Sequence, residues 1–331
     1  MSLLIQVVAG LILLFLGGEA LVRGSVSMAR RLGVSALVIG LTVVAFGTSA
    51  PELVVSVDAV LEGNPDIAVG NVVGSNIANI LLVLGVSALI YPLACKPQSV
   101  YRGGAALLAA TLVFVGMAWF GAFDAREGAG LLLLLVLFVG YSYRTERAGG
   151  EADPGAELHI REAEEVADVP GRGWVAVAVV AGGIVALVAG ANLLVLGAVG
   201  LARAVGVSEA VIGLTLVAVG TSLPELATSV VAAVRRHADV AIGNVIGSNV
   251  FNLLGVMGAA ALAGEVSVAD KIRLFDLWIM LAVTVVLLPV MIRGWRISRG
   301  EAGLFLIAYG VYVAVQYYGV PGGGPAAAGL P

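Results

Sequence analysis

Apolar residues run in long blocks along the chain, and short polar or charged breaks separate them. Each block is near the roughly 20 residues that a helix needs to cross a bilayer's hydrocarbon core. The blocks predict ten spans at 3–22, 35–60, 67–91, 103–120, 127–143, 174–200, 208–233, 240–262, 274–292 and 302–318. The run from Leu3 to Val22 has no basic stretch before it and no small-residue cleavage site after it, so it reads as the first span. Segment 144–172 is the one sizeable hydrophilic stretch, and 319–331 is a Gly/Pro/Ala-rich tail expected to be disordered.

A second regularity lies across this pattern. At an offset of 173 residues, Gly47-Thr48-Ser49 and Pro51-Glu52-Leu53 recur as Gly220-Thr221-Ser222 and Pro224-Glu225-Leu226. Gly70-Asn71-Val72 and Gly74-Ser75-Asn76 recur as Gly243-Asn244-Val245 and Gly247-Ser248-Asn249. No gap is needed. The expected fold is an all-α integral membrane protein of ten transmembrane helices in two inverted five-helix repeats, 1–143 and 173–318, joined by a cytoplasmic linker over 144–172. An odd number of spans per repeat turns the second repeat upside down.

Charge tests that inversion. With the N-terminus outside, 14 of the 18 Lys and Arg fall in inner loops, leaving only Arg126, Arg203, Lys271 and Arg273 outside. This agrees with the positive-inside rule and predicts both termini outside the plasma (inner) membrane. Composition points the same way: 60% of residues are apolar and 12% charged, about half the charged share of soluble domains. The net charge is −4 and basic blocks are absent, so nucleic acid is not an expected partner. One cysteine, Cys95, and two loop histidines, His159 and His237, cannot build a zinc or thiol centre. No obligatory protein partner is evident.

Polar residues inside the spans then carry the chemistry. Thr48, Glu52 and Ser56 recur every four residues and share one helical face, with Ser49 beside them. Thr221, Glu225, Ser229 and Ser222 repeat the arrangement. Asn71, Ser75 and Asn79 form a third stripe, and Asn244, Ser248 and Asn252 a fourth. A carboxylate at the bilayer centre costs about 2.5–3.5 kcal/mol on insertion scales. No Lys or Arg lies in these four spans to offset it, so a cation or a proton is the natural counter-charge. The donors are all oxygen, which hard cations prefer. The hydroxyls and amides taken alone also fit a role as interhelical glue. Pro51 and Pro224 are expected to interrupt their spans and free backbone carbonyls. Matching broken spans in inverted halves point to a secondary transporter.

Other acids read differently. Glu19 and Arg23 are expected to make an i,i+4 ion pair; Asp58 and Asp276 are expected as vestibule or interfacial groups; Asp66 and Asp239 are expected as N-caps. No intramembrane His, HExxH motif or aspartate dyad supports an enzyme, and broken helices argue against a continuous channel pore.

The segments GLTVVAFGTSAPEL with GNVVGSNIANI, and GLTLVAVGTSLPEL with GNVIGSNVFNLLG, resemble the cation/calcium antiporter superfamily, most closely the prokaryotic sodium/calcium exchangers. The resemblance covers both halves. It implies an antiporter that exchanges calcium for sodium by alternating access, with no cofactor. It implies Glu52 and Glu225 as central calcium ligands shared with sodium. It adds Thr48, Thr221, Ser49 and Ser222 at the same centre, and Ser75 and Ser248 as sodium ligands with the carbonyls of Ala45 and Ala218. Asn79 and Asn252 take the middle positions. Members often carry aspartate at the second of these, and Asn252 removes that titratable group. Coupling to protons, or to sodium with potassium, therefore stays open.

Overall fold

A computed structural model describes residues 2–97, 100–148, 173–204 and 220–318. Helix α1 (Leu3–Leu32) starts at Ser2, whose hydroxyl accepts from the Ile5 amide at 3.4 Å, and stops at Gly33, whose φ of 65° a side chain would resist. Then come α2 (Ala36–Thr48), α3 (Ala50–Leu61), α4 (Pro65–Ile90), β1 (Leu93–Ala94), α5 (Val100–Trp119), β2 (Ala122–Phe123) and α6 (Ala125–Ala148). After the interval, α7 (Gly173–Ala204), α8 (Leu223–Val234), α9 (Ala238–Ala263), β3 (Val266–Ser267), α10 (Ile272–Trp295), β4 (Arg296–Ile297) and α11 (Arg299–Tyr318) complete the chain.

Seven helices among the described residues are long and apolar enough to cross a membrane, and the bent pair α2–α3 makes an eighth. Of the other two expected spans, 302–318 falls within α11, a 20-residue helix, while for 208–233 the apolar 12-residue helix α8 is described and 208–219 lie outside the described residues. The helix of the expected first span extends ten residues further, to Leu32, and that of the fifth continues to Ala148. The rest of the linker and the tail lie outside the described residues.

The 173-residue offset reappears as geometry. It carries α3 onto α8, α4 onto α9 and β1 onto β3. It also carries the π-helical turn Asn79–Val83 onto Asn252–Val256. Two antiparallel dipeptide ladders, which apolar periodicity did not predict, tie the repeats together: β1 pairs with β4 and β2 with β3. Each ladder joins one repeat to the other, so the halves interlock.

The ladders lie at opposite ends of α4, whose 26 residues span about 39 Å. At the β1–β4 end, Lys96 pairs with Asp239, and Arg299 donates to the carbonyls of Leu89 and Ile90 at 3.0 and 3.1 Å. At the β2–β3 end, Ser267 donates to Asp66 at 3.4 Å and Arg273 pairs with Asp270 at 2.5 Å. Asp66 and Asp239 therefore sit in the first helical turn rather than at the N-caps, which are Asn64 and His237. Asp58 is exposed, whereas Asp276, expected with it as a vestibule or interfacial group, is buried. It is 6% exposed, closes the π-helical turn Ile272–Asp276, and accepts from Tyr312 at 3.1 Å and from Gln316, both on α11.

Close packing follows glycine. Along the α1–α7 contact, a Cβ added at Gly17 would stand 2.8 Å from the Leu187 amide nitrogen, and one at Gly10 would stand 2.6 Å from that of Leu194. At the centre, residues 240–256 of α9 are buried without a break, the polar stripe Asn244, Ser248 and Asn252 included.

Glu19 does pair with Arg23, at 2.5 Å, and it also accepts from Arg235 at 2.6 and 2.9 Å. This second pair ties α1 to the turn between α8 and α9. The Arg235 side chain is 45% exposed, so screening limits the tie. We expect Glu19→Gln to lower stability by no more than about 1 kcal/mol. Thermal melting in detergent checks this; a loss several times larger would mean that the pair is shielded from water.

Candidate functional site

The first copy of the repeated motif marks a break between two helices. Ser49 adopts φ −84°, ψ 9°, and the chain turns by 45° between α2 and α3. Ser222 repeats the geometry at φ −86°, ψ 8°. Pro51 thus stands just past the break in its span, as expected, and Pro224 stands in the first turn of α8. The first turn needs no N–H there, so proline is tolerated. Glu52 and Glu225 follow in those first turns, where the positive end of a helix dipole favours an anion.

The two copies of the motif meet. Ser49 donates to Glu225 Oε1 at 2.9 Å, and Ser222 donates to Glu52 Oε1 at 3.4 Å. Each carboxylate is therefore held by the other repeat. Both glutamates are fully buried. Thr48 shares a 3.3 Å hydrogen bond with Ser248 and donates to Asn244 Oδ1 at 3.2 Å, while Thr221 faces Glu52.

The asparagines divide into two sets. Asn71 donates to the Glu52 carbonyl at 3.2 Å and to Ser56 at 2.9 Å; Asn244 donates to the Glu225 carbonyl at 3.3 Å and to Ser229 at 3.0 Å. These amides brace the backbone under each carboxylate. Asn79 and Asn252 open the matching π-helical turns, a distortion common at functional sites. Asn79 gives its NH2 to Asn249 Oδ1 at 3.0 Å, and Asn252 gives its NH2 to Ser75 at 3.0 Å.

Four of the eight buried side-chain oxygens that lack a partner among the described residues lie on the repeated polar stripes. Glu52 Oε2, Glu225 Oε2, Asn79 Oδ1 and Asn252 Oδ1 are buried and have no hydrogen-bond partner. They form two symmetry-related pairs, and all four are acceptors. A buried polar atom without a partner costs about 1–3 kcal/mol, and more for a charged group. A positive ion among hard oxygen donors offsets that cost, and this set fits one. Among the described residues no cluster of three or more His, Cys, Asp or Glu offers a different metal centre.

Of the expected ligands, Glu52, Glu225, Thr48, Ser49, Ser222, Ser75, Ser248, Asn79 and Asn252 are buried along these elements. Thr221 is half-buried. The Ala45 carbonyl accepts from Thr48 at 3.3 Å and from the Ser49 amide at 3.0 Å. Ala218 lies outside the described residues. Spacing did not single out Asn76 and Asn249, yet Asn249 donates to the Asn76 carbonyl at 3.3 Å and links α9 to α4. The second Gly-Ser-Asn copy was the available signal, and it falls outside the every-fourth-residue stripe.

The family model described as sodium/calcium exchanger protein matches residues 2–144 and 175–318. The putative antiporter CaxA of Alkalimonas amylolytica is 39% identical, over 95% of this chain and 97% of its own length. The sodium/calcium exchanger MaX1 of Methanosarcina acetivorans is 32% identical, over 93% of this chain and 97% of its own. The structure of the sodium-calcium exchanger NCX_Mj soaked with 2.5 mM Na+ and 0.1 mM Ca2+ superimposes with a TM-score of 0.80 at 31% identity. It covers 95% of this chain and 99% of that one.

Proposed function

The chain belongs to the sodium/calcium exchanger family of membrane antiporters, and from that premise we propose that it exchanges calcium for sodium at the paired glutamates. The observation that carries this reading is the set of four unpartnered acceptors, Glu52 Oε2, Glu225 Oε2, Asn79 Oδ1 and Asn252 Oδ1. Two carboxylates and two neutral amides balance the charge of one calcium ion or of two sodium ions. Either cargo neutralises the site, and the two compete for it. Thr48, Thr221, Ser49, Ser222, Ser75, Ser248 and the Ala45 and Ala218 carbonyls supply the remaining oxygens.

The ten spans then form two inverted repeats. Helices α2, α3, α4, α8 and α9 make a fixed core. The glycine-lined pair α1–α7 moves against it, exposing the site to each side in turn. The basic β1–β4 end faces the cytoplasm of the plasma membrane, which leaves both termini outside. Inward sodium drives calcium out.

Flux in reconstituted vesicles tests the proposal. A sodium gradient should drive calcium uptake in the absence of any pH gradient. Uptake driven by a pH jump without sodium would replace sodium by protons as the coupling ion. That outcome has a specific motive, because Asn252 leaves the two glutamates as the only carboxylates of the centre. A strict need for potassium would move the protein to the potassium-dependent class. Calcium flux under none of these gradients would sink the antiport reading.

A further inference from the structure

A groove of about 290 Å³ opens on the flank of the protein between α5 and α6, away from the paired glutamates. Its walls are apolar. Its floor is Val250 and Leu254 of α9, and Leu254 belongs to the π-helical turn that begins at Asn252. On α5, Ala106, Ala110 and Val113 line one side at helical spacing; on α6, Leu134 and Tyr141 line the other.

Both stripes end in a cation at the same end of the molecule. Arg102 lies one turn before Ala106, and Arg144 lies nearly one turn after Tyr141. From Arg102 to Val113 is about 16 Å along the helix, and from Leu134 to Arg144 about 15 Å. Each distance is roughly half the ~30 Å hydrocarbon core, the depth of one leaflet. Tyr101 and Tyr141, 59% and 58% exposed, stand near the arginines, where aromatic side chains mark the headgroup level.

We propose that this groove binds one anionic phospholipid, with an acyl chain along α5 and α6 and its headgroup phosphate at Arg102 and Arg144. The charge at one end of an apolar slot one leaflet deep selects a lipid over a second protein chain, which would need no cation there. Basic pockets between spanning helices take anionic headgroups by the same logic. A lipid seated here touches the helical turn that presents Asn252. Which ion is transported does not enter the proposal.

Native mass spectrometry of the full chain tests it, after reconstitution in equal parts phosphatidylglycerol and phosphatidylcholine. One retained phosphatidylglycerol is expected. Arg102→Gln and Arg144→Gln should each lower the retained ratio of phosphatidylglycerol to phosphatidylcholine about fivefold. Ala109→Phe, which fills the groove with both arginines intact, should lose the lipid altogether. Circular dichroism and size exclusion verify that the variants fold; Ala109→Phe and Arg144→Gln, on exposed positions, carry the test should Arg102→Gln misfold. Equal retention of the two lipids by the unaltered protein would overturn the proposal. So would unchanged retention in the folded variants, or a dimer that Ala109→Phe dissolves.

Discussion

Glu52→Gln and Glu225→Gln are each expected to abolish calcium flux while the protein still folds. The substitution preserves shape. The amide oxygen can keep the hydrogen bond that Ser222 gives Glu52, or that Ser49 gives Glu225. It also removes half the negative charge of the centre and turns an N–H toward atoms that need a cation. Losing an outer partner of a metal ligand costs 10–100-fold in affinity, so losing a charged ligand should cost about 100-fold or more. Without ions, each variant should melt at or above the temperature of the unaltered protein, because one of two buried carboxylates is gone. Calcium should stabilise the unaltered protein against melting and leave the variants unmoved, since a ligand stabilises only the state that binds it. Vesicle flux and melting with and without calcium check both halves. Retained exchange in either variant would remove that glutamate from the mechanism.

Gly247→Leu should have the second largest effect, through packing. A Cβ at Gly247 would lie 2.5 Å from the Leu41 carbonyl oxygen, 2.6 Å from Leu41 Cα and 2.7 Å from Ala45 Cβ. Two of these three are backbone atoms, so no rotamer change relieves the clash and α9 must move away from α2. Overpacking of this kind costs about 1–3 kcal/mol, and more where the backbone is caught. The displacement also separates Thr48 from Ser248 and Asn244, now 3.3 and 3.2 Å away. Flux should be lost together with thermal stability. Gly130→Ala is the control: its position on α6 is exposed and a Cβ meets nothing within 4 Å, so melting should hardly change. A Gly247→Leu protein that melts and transports like the unaltered one would refute the close approach of α2 and α9.

Much of this molecule could be read before folding, because certain physical signals are local. Apolar runs of bilayer length declare spanning helices, since backbone polar groups must be satisfied within the membrane. An intramembrane Glu52 with no basic residue in its span declares a function, since an unpaired charge there is expensive. The 173-residue offset ties the two copies together, and it maps α3 and α4 onto α8 and α9 without a shift.

Tertiary structure alone decided the pairing. A stripe recurring every four residues says which face Thr48 and Glu52 share, but not what lies opposite. That Ser49 reaches the Glu225 of the other repeat, and Ser222 the Glu52, depends on how the two distant copies of the motif meet. The π-helical turns at Asn79 and Asn252 leave no mark in residue spacing, yet Asn79 and Asn252 begin them and each retains an unpartnered oxygen there. The two short ladders, the Asn249–Asn76 link and the burial of Asp276 by Tyr312 and Gln316 were hidden for the same reason. Local sequence specified the polarity and period of each helix, whereas contacts between residues about 170 positions apart are set only when the two repeats pack.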